Sequence, residues 1–380
     1  MDRIGIVGIG LSEIRSTSPG SSFKELMYDA ASAAYNDAGI NPREDVDSFV
    51  SVDEDFNAGT SITDEYVPDQ MGAMQRPVQT IAGDGLHGII TGALQILTGA
   101  FDIVVVEGHS KASNIDYPDE IMNLAVDPIL QRPLLPHPLA LLGLEKARYL
   151  STTETTDEGC AAVVAKNRRQ ALKNPWATLG ANLSIQDVLS TDPLSIPLRK
   201  GEVAQPVDGC VVLVLASEKK AKALKKKPIW ITGMGWNNDA FAFELQDGAT
   251  ATKLAAQMAY KTAGIKNPKG EFDFAEVDDF CSFKELQHLE ALGLYETGEA
   301  GRKTQRGETS STGKFPVNPS GGSLGMGHLL DATGLLRTAM ACFQLRGEAG
   351  PIQLKKATSA VVQSWRGVPT TSAAVITLVV

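Results

Sequence analysis

Nearly uninterrupted apolar runs alternate along the chain with segments that have the 3.6-residue period of a helix. The runs at 101–106, 211–216 and 373–380 are rich in β-branched residues, which is typical of strands buried on both faces. A segment of helical period at 85–98 leads into the first of these runs. Buried strands that alternate with helices predict an α/β fold built in layers.

A strand–helix–strand unit occurs twice in the sequence. The segments 33–40 (AAYNDAGI) and 258–265 (MAYKTAGI) each follow a glycine-rich strand, at 4–10 and 229–235, and each helix ends at a glycine. Short strands are predicted next, at 46–49 and 277–280. The offset between the copies is 225 at the helix and 231 at this strand, which predicts a six-residue insertion in the second copy.

The duplication predicts two halves, at 1–218 and 228–380, that pack pseudo-symmetrically as an α/β/α/β/α layered sandwich. The basic run at 219–227 marks their boundary, and we interpret it as a solvated linker helix rather than as an anion patch. The proline-rich stretch at 107–150 is predicted to be an irregular insertion that acts as a lid or binding loop. It carries His109 and His137, which are more often structural than ligands.

Composition and charge exclude several classes of protein. The chain has 380 residues and a formal net charge of −10, which argues against binding to nucleic acid. Four scattered cysteines signal neither a disulfide framework nor a zinc site, and no metal is expected. The N-terminus lacks the apolar region of a signal peptide, and no run approaches a membrane span, so we predict a cytoplasmic protein. Glu13 occupies the third glycine position of a dinucleotide fingerprint, so no nucleotide cofactor is expected.

The segment 317–328 (VNPSGGSLGMGH) is the strongest candidate for chemistry. Closely spaced glycines, among them Gly321 and Gly322 after Asn318, leave backbone N–H groups free to stabilise an oxyanion. His328 at the end of the loop has a side chain that polarises a carbonyl or moves a proton near neutral pH. The alternative is a tight turn with a capping histidine.

This segment resembles the N-x-S-G-G…G-H-P-x-G-A-T-G signature of the thiolases. The branch it resembles is that of the sterol-carrier-protein-X and archaeal acetoacetyl-CoA thiolases. Three further ordered blocks are similar to that branch, at 166–176, 185–209 and 284–294. The resemblance implies a thiolase-like duplicated sandwich that forms homodimers and takes an acyl-CoA, with coenzyme A as substrate. The branch includes heteromeric thiolases, such as benzoylsuccinyl-CoA thiolase, so a small zinc-ribbon/OB-fold partner subunit is also implied.

The chain departs from the thiolase pattern at the catalytic positions. The nucleophilic cysteine position falls at Ala82, and Asp278 stands where the family has His or Asn. The second acid/base maps to 364–366, which contains neither Cys nor His. Cys281 lies one residue beyond the family's cysteine, and strand alternation predicts that it faces the core. Of the family's catalytic residues, only His328 remains.

Asp84 and His87 lie three residues apart at the start of the predicted helix at 85–98, on the turn that normally carries the nucleophile. They are candidate catalytic residues, although an N-cap beside a packed histidine explains them equally well. We expect the catalytic candidates and the pocket lining to converge on one pocket, with the 107–150 insertion over its mouth. The catalytic candidates are His328, Asp278, Asp84 and His87, and the lining candidates are Ala82, Gly85, Asn318, Gly321 and Gly322.

The resemblance implies an enzyme that makes or breaks a C–C bond beside a CoA thioester without an acyl-cysteine at the usual position. Retro-aldol cleavage, as in the related steroid side-chain aldolases, and direct thiolysis both need only His328, backbone amides and a carboxylate base such as Asp278. The alternative is a non-catalytic thiolase-like subunit that binds acyl-CoA or scaffolds a partner.

Overall fold

The structure is a computed structural model that describes residues 3–55, 61–66, 69–124, 126–130, 132–134, 137–240, 248–367 and 372–380. Within these ranges the strands are β1 Ile4–Leu11, β2 Ser48–Val52, β3 Val78–Ile81, β4 Ile103–Ser110, β5 Pro193–Ser195, β6 Leu198–Arg199, β7 Gly209–Ser217, β8 Ile229–Asn238, β9 Phe274–Glu276, β10 Ser359–Arg366 and β11 Ser372–Val379. The helices are α1 Phe23–Ala38, α2 Pro42–Asp45, α3 Gly85–Leu97, α4 Pro118–Leu124, α5 Pro138–Thr152, α6 Asp157–Ala171, α7 Ile185–Leu189, α8 Glu218–Ala223, α9 Thr250–Ala263, α10 Ser282–Ala291, α11 Ala300–Gln305, α12 Gly322–Met326 and α13 Thr333–Arg346.

The main sheet has the strand order β3-β2-β4-β7-β1-β8-β11-β10-β9. The first strands of the two copies, β1 and β8, lie side by side at its centre and pair antiparallel through Ile4, Gly5 and Ile6. Outward from this pair, the order β1-β7-β4-β2-β3 on one side matches β8-β11-β10-β9 on the other. The place of β3 is taken in the second copy by Val317, which bridges β9 in parallel. The predicted duplication is confirmed by this order.

The strands of the first copy (β3-β2-β4-β7-β1) and those of the second copy (β8-β11-β10-β9) form two sets, and the helices form three layers around and between them. Helix α1 packs on β1 and β7, and α9 packs on β8 and β11 at the equivalent outer position. Helices α3 and α13 lie between the two sets of strands and contact both. A core of residues from both copies, including Ile6, Leu86, Leu335 and Ile376, is buried around them. These contacts give the α/β/α/β/α sandwich that the sequence predicted.

Glycines in the central strands let the outer helices approach closely. A Cβ atom on Gly10 would lie 1.9 Å from the Ala30 carbonyl oxygen of α1. A Cβ atom on Gly235 would lie 2.1 Å from the Ala255 carbonyl oxygen of α9. The same device therefore recurs at equivalent positions of the two copies, 225 residues apart.

The predicted six-residue insertion in the second copy is wrong. Strand β9 begins at Phe274, ahead of the range 277–280 predicted for it, so local similarity had given the wrong register. Strand pairing sets the equivalence instead. Val214 and Thr377 pair with Gly8 and Gly233, which are 225 residues apart, and their other partners Val105 and Val361 pair with Phe49 and Ala275. The offset is therefore 226 at β2 and β9, which leaves one extra residue instead of six and makes Asp53 and Asp279 equivalent.

The insertion at 107–150 is less irregular than predicted. Strand β4 continues to Ser110, and the stretch then contains α4 and the 15-residue helix α5. Proline stands at the first position of α5, where it is compatible with a helix, and His137 caps that helix by accepting the Leu139 N–H at 3.1 Å. Residues 125, 131, 135 and 136 of this stretch lie outside the described ranges. None of the described helices is both long and apolar enough to cross a membrane.

Candidate active site

The turn between β3 and α3 presents no nucleophile. Ala82 is exposed on this turn, and Asp84 ends it as the N-cap of α3, accepting the Leu86 N–H at 3.0 Å. The N-terminus of a helix lowers the pKa of a thiol placed there. At this helix start the side chains are the methyl group of Ala82 and the carboxylate of Asp84, and neither is a thiol.

Asp84 also caps a second helix. Its carboxylate accepts the Gly334 N–H of α13 at 3.1 Å and a hydrogen bond from the Ser364 hydroxyl of β10. Burial raises the pKa of Asp84, while Arg337 and Ser364 oppose that rise. A single carboxylate of the first copy thus holds two elements of the second copy beside α3.

His87 packs behind this cap. Its Nδ1 accepts the Asp84 N–H at 3.4 Å, and burial lowers the pKa of the imidazole despite the nearby Asp84 carboxylate. Capping by Asp84 with a packed His87 was one of the two interpretations of this pair from sequence. The geometry agrees with it, and a catalytic role for either residue stays a prediction.

All four cysteines are buried in the core. Burial raises the pKa of the Cys160, Cys210, Cys281 and Cys342 thiols above the usual range. Cys281 is the N-cap of α10 and not a strand residue, so strand alternation was the wrong reason for its burial. Its burial agrees with the expected core role.

Asp278 is held by Arg337. The Arg337 guanidinium lies 2.7 Å from the Asp278 carboxylate, which also accepts the Phe280 N–H at 3.0 Å. Burial alone would raise the pKa of Asp278, but Arg337 and the neighbouring His288 bring it below its usual value. The carboxylate is therefore ionised at neutral pH, and it is a weak base.

His328 is a neutral imidazole at neutral pH. Burial lowers its pKa to about 4, against the attraction of Asp278 and with the added repulsion of Arg337 and Arg366. Its Nδ1 accepts the Leu330 N–H at 3.2 Å, which assigns the ring proton to Nε2. The ring edge packs on Phe280 with centroids 5.0 Å apart. His328 is therefore built to donate one hydrogen bond from Nε2.

The backbone amides of the glycine-rich loop are already occupied. The N–H groups of Ser323 and Leu324 donate to the two oxygens of Asp279 at 2.6 and 3.1 Å. Gly321 and Gly322 have positive φ values of 104° and 57°, and the side-chain carbonyl of Asn318 accepts the Val277 N–H. The expectation of free amides in this loop is wrong, because Asp279 takes the place predicted for an oxyanion.

Arg366 is a second cationic group that acts on His328. Arg366, at the end of β10, pairs with Glu54 and lies 3.4 Å from the Asp331 carboxylate. Asp331 in turn accepts the Glu54 N–H at 3.0 Å. Since Arg366 also lowers the pKa of His87 and of His328, it links the turn before α3 electrostatically to the His328 loop.

Between them, the charges of Arg337 and Arg366 act on all four catalytic candidates, and the convergence of the four on one pocket stays a prediction. Sequence reasoning missed both arginines. Arg337 could have been found as a lone charge in the apolar segment 335–341 of α13. In the described part of the chain, no group of three or more His, Cys, Asp or Glu side chains is placed to hold a metal ion. The position of the 107–150 insertion over the pocket mouth stays a prediction.

Comparisons with known proteins agree with this architecture. The family described as thiolase C-terminal domain-like matches residues 242–378. The acetyl-CoA acetyltransferase of Methanothermobacter thermautotrophicus is 28% identical over 362 residues, 93% of each chain. Sterol carrier protein 2 of Oryctolagus cuniculus is 28% identical over 385 residues, 95% of this chain and 69% of that protein. The solved Ltp2-ChsH2(DUF35) aldolase superposes with a TM-score of 0.85 at 24% identity, covering 99% of this chain and 97% of that one.

The duplicated α/β fold and the relatives that span most of this chain indicate an enzyme of acyl-CoA chemistry, of the acyltransferase kind. The match of residues 242–378 to the thiolase C-terminal domain-like family, and the similarity of most of the chain to these two relatives, agree with the thiolase resemblance and with its sterol-carrier-protein-2-like branch. The resemblance seen in the sequence is thereby confirmed.

Proposed function

We propose that this protein cleaves or forms a C–C bond beside a CoA thioester without an acyl-cysteine intermediate. The observation that carries the proposal is the start of α3. Ala82 is exposed there, and the Asp84 carboxylate accepts backbone N–H groups from both α3 and α13. The four cysteines, all buried with raised pKa values, offer no substitute thiolate. Coenzyme A, bound as the thioester, is the substrate.

The chemistry that remains is stabilisation of an enolate. In retro-aldol cleavage a base takes the proton of the β-hydroxyl, the C–C bond breaks, and its electron pair moves to the thioester oxygen. In thiolysis a CoA thiolate adds to the β-ketone and the same bond breaks. Either way the enolate is then protonated at its α-carbon. The Nε2–H of His328 donates to the thioester oxygen in both reactions, which is why a neutral histidine suits the task.

The other candidates take supporting roles in this proposal. Asp278 has a low pKa and is paired with Arg337, so it orients that guanidinium more readily than it accepts a proton. Asp84 and His87 hold the starts of α3 and α13 in place. Ala82 leaves room for substrate where the family carries its thiol, and Gly85, Asn318, Gly321 and Gly322 shape the surrounding backbone.

We also propose a homodimer that works in the cytoplasm with a small zinc-ribbon/OB-fold partner subunit. Support comes from the Ltp2-ChsH2(DUF35) aldolase, which has the same fold. The partner, and not this chain, would carry the zinc.

The test is turnover by the purified chain, alone and with proteins that co-purify with it, on a panel of β-ketoacyl- and β-hydroxyacyl-CoA esters. Products are identified by mass spectrometry, and the zinc content of any co-purified protein is measured. We expect a C–C cleavage product from at least one ester class. Cleavage of none, with or without the co-purified protein, would favour the non-catalytic subunit instead.

A further inference from the structure

A groove of about 840 Å³ opens beside α6. It lies between α6 and two loop segments, at 304–319 and 351–356. None of the predicted catalytic residues lines it. The groove therefore needs an explanation of its own.

The charge of the groove is opposite to that of the molecule. It is lined by Arg169, Lys173, Lys314 and Lys355, while the whole chain carries a formal net charge of −10. No Asp or Glu is among its described lining residues. None of these four cations makes an ion pair with a described carboxylate, unlike Lys356, which pairs with Asp273 at 2.6 Å. Unneutralised cations around a concave site favour an anionic ligand.

The walls of the groove are held in place by hydrogen bonds. The Gln170 side chain accepts the Ser311 N–H at 2.7 Å and donates to the Asn318 carbonyl at 2.5 Å, which ties α6 to the facing loop. The Arg169 guanidinium donates to Asn182 and to the Leu183 carbonyl. A largely pre-formed cavity of this size is typical of small-ligand sites.

The lining is not polar throughout. Leu183, Ile185 and Pro351 supply apolar surface, and Ser310 and Ser311 supply hydroxyl groups near the lysines. Apolar surface beside cations and hydroxyls suits a ligand with a flat ring at one end and phosphate at the other. An acidic protein surface would need cations on an open face rather than around a depression.

We propose that this groove binds a nucleoside phosphate, with the phosphates on Lys173 and Lys314 and the base on the apolar surface. Two sources share this chemistry, the nucleotide end of CoA and a free nucleotide. The first source rests on the proposed function, since the groove would then hold the nucleotide end of its substrate, whereas the second would be a further ligand of the protein.

The test is isothermal titration of the full chain with adenosine 3′,5′-bisphosphate, ADP, CoA, inorganic phosphate and polyglutamate. The variant Lys173→Glu/Lys314→Glu is compared with Lys219→Glu/Lys220→Glu, which changes net charge equally at exposed lysines of α8 outside the groove. Circular dichroism and thermal unfolding verify that both variants fold. We expect nucleotide binding to weaken at least about tenfold in the groove variant, to persist in the α8 variant and to weaken with added salt.

The arms of the titration separate the sources. Equal losses for CoA and for the bisphosphate identify the nucleotide end of CoA, whereas loss for free nucleotides with unchanged CoA binding identifies a separate nucleotide. The proposal is overturned if wild type binds no nucleotide at millimolar concentration, or if the groove variant binds as wild type does. It is also overturned if only an acidic peptide, polyglutamate, binds. Because binding is read without turnover, failure of the proposed reaction leaves this result independent.

Discussion

Three features of His328 define what its side chain contributes. The accepted hydrogen bond at Nδ1, the pKa of about 4 and the packing on Phe280 fix the tautomer, the charge and the ring plane. An imidazole with this pKa stays neutral at neutral pH and is not protonated there, and its fixed ring plane directs the Nε2–H as a hydrogen-bond donor. Catalysis by such a group depends on position rather than on titration.

His328→Ala should lower kcat by about 10²–10³, the usual cost of removing one oxyanion donor. The measurement is steady-state turnover of the ester that the panel identifies. Cys281→Ala is the control, and it should change kcat little, because that thiol is buried and its pKa is raised. Mass spectrometry after quenching should find no acyl adduct. An adduct on Cys281, or loss of activity in Cys281→Ala alone, would contradict the mechanism.

His288 gives the protein a pH-dependent stability. It is fully buried, and burial lowers its pKa to about 3, so the folded state keeps it neutral. The unfolded chain binds a proton near pH 6.5, so between pH 6.5 and 3 the unfolded state holds more protons and the free energy of unfolding falls as pH falls. Above pH 6.5 this contribution is complete.

Urea unfolding at pH 7.5, 6.0 and 5.0 measures that fall. In His288→Gln the decrease from pH 7.5 to 5.0 should be smaller than in wild type, even if the variant is less stable at every pH. A decrease of the same size in both proteins would assign the acid sensitivity to other groups, of which His328 is the next candidate because its pKa is also lowered.

At the scale of elements, the cap shared by α3 and α13 sets a measurable stability difference. Asp84→Ala removes one acceptor from two helix starts and one of the several carboxylates that act on Arg337. Thr156→Ala removes a cap from α6 alone, where the hydroxyl accepts the Gly159 N–H at 3.3 Å. We expect the first change to cost about 2–4 kcal/mol and the second about 1 kcal/mol. Urea unfolding measures both, and equal losses would show that the second helix gains nothing from Asp84.

The sequence predicted the elements that carry strong periodicity, and missed those that depend on partners. Strands β1, β7, β8 and β11 and helix α3 follow from apolar runs and glycine punctuation. The second-copy strand at 277–280 was misplaced because local similarity does not fix register, and α5 was missed because its prolines precede it or stand at its first turn, where they are tolerated.

At the scale of the whole molecule, the site was predictable only in part. Motif spacing singled out Ala82 and His328, and the assignment of Ala82 to a nucleophile position stays a prediction. The double role of Asp84, the occupation of the loop amides by Asp279 and the influence of Arg337 and Arg366 arise between segments far apart in sequence. No local pattern contains such contacts.

We expect the chain to form a homodimer, as its resemblance to the thiolases implies. Light scattering at micromolar concentration should then give twice the chain mass of 40.4 kDa. A mass that stays at one chain across the micromolar range would contradict this expectation. A larger mass that shifts on removal of a co-purified subunit would measure the heteromeric complex instead.

The contacts of the Asp84 carboxylate make the two repeats depend on each other. It belongs to the first repeat, yet it secures the first turn of α13 and the Ser364 hydroxyl, both of which belong to the second. A chain divided at 219–227 would give one fragment in which Asp84 caps α3 alone, and another in which the Gly334 N–H of α13 has lost its acceptor. Although the two repeats still share strand order and glycine spacing, neither is any longer a self-sufficient copy of the other.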